Sequence, residues 1–332
     1  MAVTMKDVAN LAGVSTATVS RVINGSAHVA PEVTAKINDA IDKLGYSPNV
    51  LGRGLRRSET RIILAIIPSA EHSFYNNILS GMQDEASKRG YDLLIGCSGD
   101  NSAAERRLLS MMENKIVDAA VLLGTHMSAD DLSAYNEKYN IALACERIPD
   151  AEVLTVTVDD EAAAYAAVDL IIKKGHKKIG LLTAAGTAVS ALDRRQGYEN
   201  ALADNKITYR EEYIYMGTYD FSSGEKAYRY FSQLVDPPTA IFCISDLLAA
   251  AVIKSYAAQA AKSLSGGRYF KVCGFDNIAF SGLLTPGLTT VNQPAYEIGQ
   301  TVIAKLIEKK GNPSANTEHI KMPFEIIERE SL

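Results

Sequence analysis

The 332-residue chain has no tryptophan, only five histidines and only four cysteines. Cys97, Cys145, Cys243 and Cys273 stand far apart, with no CxxC pair and no Cys/His cluster, so neither a zinc site nor a disulfide framework is expected. They read as buried free thiols in a reducing compartment. His28, His72, His126, His176 and His319 are scattered, and GxSxG, HExxH and a phosphate-cradling Gly-Lys-Ser loop are all missing. The expectation is a protein with no catalytic residues, metal or cofactor. No apolar run reaches membrane-spanning length, and the first residues lack a basic-then-apolar export segment, which predicts a cytoplasmic protein that makes no membrane contact.

Positive charge is also scarce: the formal net charge is -5, which argues against a chain that wraps nucleic acid along its whole length. Residues 1–60 reverse the balance, with seven Lys+Arg against five Asp+Glu. A modestly basic head can make phosphate contacts while an acidic body limits non-specific adhesion, although an ordinary solvated surface explains the acidic body equally well.

That head carries the most informative stretch, Met5 to Asn24. Val8, Leu11 and Ala12 recur at helical spacing, Gly13-Val14 interrupts them, and Ser15 is placed to cap a second helix with Val19, Val22 and Ile23 on its inner face. Two short helices joined by such a turn form a helix-turn-helix, unless they are a hairpin in some larger core. Thr16, Ala17, Ser20 and Arg21 then face outward, where a major groove can be read. A third helix is expected over residues 31–44, with Pro31 in its first turn and Val33, Ile37, Ile41 and Leu44 closing a small core. A basic segment around Arg53, Leu55, Arg56 and Arg57 follows.

From residue 61 onward, short apolar runs alternate with amphipathic stretches. Strands are expected at 62–67, 92–96, 119–123, 141–144 and 153–158, then at 179–182, 213–216, 240–243 and 272–275. The alternation implies two α/β units, each a parallel sheet covered by helices on both faces, with a ligand cleft at the strand carboxyl ends.

The head pattern DVA...AGVS..TVSRV.N and the following LGY.PN...R.L resemble the DNA-binding head and hinge of the LacI/GalR family of bacterial transcription regulators. The likeness continues through KKGHKKIGLL, RRQGYENAL, PPTAIFCISDLLA and GFDNIAFSGLLTPGLTTVNQPAYEIG, covering nearly the whole chain. ACERIPD, GFDNIAF and QPAYEIG are most similar to the cytidine-repressor-like branch. The resemblance implies a helix-turn-helix head over 1–48, a hinge helix and linker over 49–60, and an effector-binding and dimerisation core over 61–332. That core would consist of two doubly wound parallel-sheet subdomains of periplasmic-binding-protein type. The N-subdomain is expected at about 61–160 and 292–321, the C-subdomain at about 161–291 and 322–332, with crossings near 159–160, 291–293 and 321–322. No leucine heptads follow the last expected strand, 324–327, so a tetramerising coiled coil is not expected.

The partners implied are a pseudo-palindromic double-stranded operator, a second copy of the chain, and a small-molecule effector, either a sugar or a nucleoside. By motif position, Asn24, Asn49, Arg53 and Leu55 join the DNA-binding set, Leu55 as a minor-groove wedge. Phe74 and Tyr75 could stack on a sugar ring or base, or simply pack. Arg194, in R..GY..AL, could hold effector hydroxyls or form a surface salt bridge. Asp276, after an apolar strand, could accept from vicinal hydroxyls or cap a helix. Tyr219 and Asp246 complete the effector set, with hydrogen bonds within the fold as the rival role of Asp246. Ser245 stands where the family usually has asparagine, and Ala188 where purine-binding relatives carry arginine, so a purine base is not the expected effector. A transport-type solute-binding protein is the alternative reading, but it would leave the head without a role.

Gly52 stands where the family favours alanine. Glycine inside a helix costs about 0.8–1.0 kcal/mol relative to alanine, so across a dimer Gly52→Ala should favour a helical hinge by about 2 kcal/mol at most. Operator titrations should show tighter binding, and unchanged affinity would remove the helix–coil account of this segment.

Overall fold

The computed structural model describes residues 3–24, 29–46, 59–186, 188–260, 268–309 and 317–332. Asn49, Gly52, Arg53 and Leu55 lie outside the described residues, as does the side chain of Asn24. The chain divides into two compact units, Met1–Thr60 and Arg61–Leu332.

The first unit is a three-helix head: α1 (Met5–Ala12), α2 (Thr16–Asn24) and α3 (Pro31–Leu44). Gly13 and Gly45 end α1 and α3 in the left-handed conformation that glycine adopts without penalty. The Ser15 hydroxyl accepts the Thr18 N–H at 3.1 Å and so caps α2. Val8, Ala9, Val19, Ile37 and Ala40 form the core, with Val22, Ile23, Val33, Ile41 and Leu44 packed around it. Leu11 departs from the expected stripe and is 53% exposed. At about 100° per residue it falls on the rim of an arc centred on Val8, Ala9 and Ala12.

The second unit holds two six-stranded sheets. In the first, β1 (Ile62–Ile67), β2 (Asp92–Cys97), β3 (Ala119–Leu122), β4 (Asn140–Ala144) and β5 (Leu154–Val158) lie in the order β2-β1-β3-β4-β5, and β11 (His319–Met322) pairs with β5. The second sheet repeats this order with β6 (Ile179–Ala184), β7 (Ile214–Gly217), β8 (Ala240–Cys243), β9 (Lys271–Asp276) and β10 (Thr289–Asn292). Its edge is closed by β12 (Glu325–Ile327), which runs antiparallel to β10 and departs from the expected parallel pattern. Central strands such as IILAII are buried on both faces, and this explains their unbroken apolar sequences.

The first sheet is flanked by α4 (Phe74–Lys88), α5 (Ser102–Glu113), α6 (Ala129–Lys138) and α11 (Ala295–Glu308). The second is flanked by α7 (Asp160–Lys173), α8 (Val189–Asp204), α9 (Phe221–Gln233) and α10 (Asp246–Ala260). The chain passes between the two sheets after β5, after β10 and after β11. α4 opens at Phe74, so Phe74 and Tyr75 belong to its first turn. Cys145, Cys243 and Cys273 are buried, whereas Cys97 is exposed because β2 is an edge strand. Among the described residues no helix is long and apolar enough to cross a membrane.

Helices α4 and α11 meet backbone to backbone. A Cβ on Gly299 would lie 2.1 Å from the Ile78 carbonyl oxygen, and one on Gly81 would lie 2.0 Å from that of Tyr296. Forcing a methyl into such a contact typically costs about 1–3 kcal/mol. Gly299→Ala should therefore lower the thermal midpoint by several degrees in calorimetry. An unchanged midpoint would mean that the helices separate without cost.

Candidate DNA-binding and ligand-binding sites

In the head, Thr16, Ala17 and Arg21 are exposed and Ser20 is half-buried. All four lie on one side of α2, away from Val19 and Val22, whose packing fixes that side outward. The face offers a guanidinium, two hydroxyls and a methyl, the groups that read guanine, either base edge, and thymine.

In the core, both sheets reverse strand order beside their first strand, between β1 and β3 and between β6 and β8. Crevices form at such switch points because the following loops diverge to opposite faces. The two crevices face one cavity of about 370 Å³. Its wall is built from residues just beyond the strands: Thr125 after β3, Glu146 after β4, Tyr219 after β7, Ser245 after β8 and Asp276 at the end of β9. Cys145 and Asp276, which line the cavity, hold non-glycine positive φ values of 64° and 113°. Such backbone is strained and is found where a loop is held in one conformation by its surroundings.

Phe74, Tyr75, Arg194, Tyr219 and Asp276 all line this cavity. His72 bridges two of the aromatics, with ring centroids 6.1 Å from Tyr75 and 6.3 Å from Tyr219. Arg194 forms the floor. Its Nε donates to Asp160 at 2.7 Å, its Nη1 donates to the Ile244 carbonyl at 2.7 Å, and its guanidinium stacks 3.7 Å from the Phe275 ring centre. Burial opposes the charge, but Asp160 and Asp276 outweigh it and hold the guanidinium's pKa above its usual value. Burial raises the Asp276 carboxyl well above the ordinary range while Arg194 pulls it down; Gln293 donates to its Oδ1 at 2.8 Å. Tyr75 and Tyr219 are likewise shifted up by burial, which keeps their hydroxyls neutral donors.

Asp246 must be removed from the set. It is fully buried outside the cavity, where it accepts from the Ser281 and Thr290 hydroxyls and from the Ile278 N–H. Its carboxylate is spent on tying the loop after β9 to β10 and has none of its reach left for a ligand.

Several residues that line or brace the wall were not among the expected set. Glu105, on α5, accepts from the Thr125 hydroxyl at 2.6 Å and from the His126 N–H, fixing the loop after β3. Glu146 crosses the cleft and accepts from the Ser190 N–H at 3.0 Å and from its hydroxyl at 2.7 Å. α5, α6, α7 and α9 are capped by side chains immediately before them, Asn101, Ser128, Asp159 and Asp220. α8 follows Ala188, which cannot cap. Glu146 fills that role from the other subdomain, and its carboxylate is raised mainly by burial and lowered by the Ser190 bonds. Beside it Arg147 forms a two-pronged ion pair with Asp193, at 2.9 and 3.0 Å. The usable sequence signal was position: these residues stand immediately after a strand or at the start of the facing helix.

The Arg147–Asp193 pair is half-exposed, so a double-mutant cycle over Arg147→Ala and Asp193→Ala should return a coupling of about 0.5–1 kcal/mol in denaturation. Each single variant should also raise the radius of gyration in X-ray scattering as the cleft opens. Zero coupling with unchanged scattering would make the pair incidental.

Two family models match the chain. Residues 4–49 match the bacterial regulatory proteins of the lacI family, and residues 60–330 match the periplasmic binding proteins and sugar binding domain of the LacI family. The NTD biosynthesis operon regulator NtdR of Bacillus subtilis is 33% identical, covering 99% of both chains. The transcriptional repressor CytR of Escherichia coli K12 is 33% identical over 99% of this chain and 96% of its own. In fold, the chain is similar to the Lac repressor dimer bound to operator and an anti-inducer, with a TM-score of 0.86, 22% identity, and coverage of 100% of this chain and 99% of that one. With an outward-facing recognition helix and a cleft at paired switch points, the chain belongs to the LacI family of bacterial regulatory proteins, as a DNA-binding transcriptional regulator with an effector-binding core.

Proposed function

We propose that the chain is a cytoplasmic transcriptional repressor that binds a pseudo-palindromic operator as a homodimer and changes its affinity when a sugar or nucleoside occupies the core cleft. The observation that carries this reading is the pairing, in one chain, of a solvent-facing α2 with a cleft whose floor and walls combine a fixed guanidinium, a buried carboxylate and aromatic faces. Asp276 and Arg194 suit adjacent hydroxyls, and Phe74, Tyr75 and Tyr219 suit a ring. Ser245 and Ala188 both line the cleft and supply no charged or amide group for a purine base.

A second copy is supported by the edge strands. β2 exposes Leu94 and Ile95 at 38% and 50%, and the corresponding edge strand β7 exposes Met216 at 58%. Unpaired edges with apolar side chains favour a self-complementary contact, and a two-fold dimer presents two heads to a two-fold operator. The proposed DNA contacts are Thr16, Ala17, Ser20 and Arg21, with Asn24, Asn49, Arg53 and Leu55 assigned by motif position alone.

Arg21→Ala should cost roughly 1–3 kcal/mol of operator affinity and relax preference at one base pair per half-site. Gel shifts over a randomised operator library measure both. A uniform loss on every sequence, with preference unchanged, would reassign Arg21 to a phosphate contact.

A further inference from the structure

A second cavity, of about 400 Å³, lies beside the passages that join the two subdomains, the hinge of the core, and is separate from the cleft in all but one wall. That wall is made of Ser73, Phe74, Asp276 and Ile278, which line both spaces. The remaining walls come from the passages between subdomains: Gln293 and Pro294 after β10, and Pro323 and Phe324 after β11, with Asn77 of α4 opposite. The volume falls in the range of small-molecule sites, about 300–1,000 Å³.

Polar groups converge on this space with capacity to spare. Asp276 has a side chain only 10% exposed, and its Oδ1 accepts from Gln293. Its Oδ2 receives no hydrogen bond from a described residue. α11 begins here after Pro294, which provides no capping side chain. In its first turn the Tyr296 and Glu297 N–H groups have no partner among the described residues, so the helix offers two aimed donors. Asn77 adds an amide, and Phe74 and Phe324 add apolar ring faces.

The charge of the lining selects the ligand class. It contains no Lys, Arg or His, and its carboxylates are Asp276, Glu297 and Glu325. A phosphate or carboxylate would meet three acids and no cation. Glu325 already accepts from Asn292 at 3.0 Å, and Glu297 and Glu325 are exposed on the rim, where water screens them. The cavity therefore pairs one desolvated acceptor with two helix donors, which suits hydroxyl groups that both donate and accept.

We propose that the hinge cavity is a second ligand site, for a neutral, hydroxyl-rich ring such as an unphosphorylated sugar or polyol. Because two of the passages between subdomains form its wall, a ligand there acts on the same hinge as one in the cleft. The sharing of Asp276 couples the two sites directly.

The test uses thermal-shift and calorimetric titration of the full chain with neutral hexoses, pentoses and cyclitols, each paired with its amino and phosphorylated analogue. Three proteins are compared: wild type, Ala188→Trp, which fills the cleft, and Asn77→Trp, which fills the hinge cavity from an exposed position. Glu297→Trp, on the exposed rim, repeats the block with a second side chain, and operator gel shifts verify that each variant is folded. The expected result is at least one neutral compound that binds wild type and Ala188→Trp alike and loses at least tenfold in affinity in both hinge-cavity variants. The proposal is overturned if all binding is lost in Ala188→Trp, if only amino or phosphorylated compounds show the hinge-cavity pattern, or if no compound binds. None of these outcomes bears on operator recognition, which the gel shifts read separately.

Discussion

The cleft depends on one buried guanidinium. An arginine cannot shed its charge at any accessible pH, so once Arg194 is enclosed its surroundings must supply acceptors in fixed directions. Asp160 at the start of α7, the carbonyl that follows β8 and Asp276 at the end of β9 answer that demand, and Phe275 covers the flat face. Removing one partner from a buried pair of this kind typically costs about 3–5 kcal/mol, because the other charge is left stranded. The same constraint that holds three elements together also leaves Asp276 oriented with spare accepting capacity at the subdomain boundary. The atoms that stabilise the fold here are thus also among those that line the cavity.

Closure of the cleft has its own electrostatic logic. A helix that caps itself is indifferent to its neighbours, whereas α8 follows an alanine and takes its cap from Glu146 across the gap. Bringing the subdomains together therefore completes the N-terminus of α8, and Arg147 with Asp193 adds an ion pair beside it. A ligand can shift such an equilibrium only by binding one arrangement better than the other. Tyr75 and Phe74 come from one subdomain and Arg194, Tyr219 and Asp276 from the other, so the cavity has both its sides only when the cleft is closed.

The amino-acid sequence by itself determined the helix-turn-helix, since a glycine turn, a serine cap and apolar spacing are local properties that need no distant partner. It also determined the alternation of strand and helix, because doubly buried strands must be apolar throughout and their helices must be striped. Of the expected effector residues, Phe74, Tyr75, Arg194, Tyr219 and Asp276 converge on one cavity, each legible from its place after a strand or within a motif. Tertiary structure decided what remained. Whether a carboxylate lines a cavity or ties a loop is a matter of which partners surround it, so Asp246, soon after β8, is bound into a loop while Asp276, at the end of β9, lines the cavity. Leu11 and Cys97 fit buried patterns along the chain and are exposed because no described element covers them. Glu146 could not be assigned from its neighbours because the helix it caps begins 43 residues later, at Val189, in the other subdomain; only the folded chain brings an acid without a local role to a helix without a local cap.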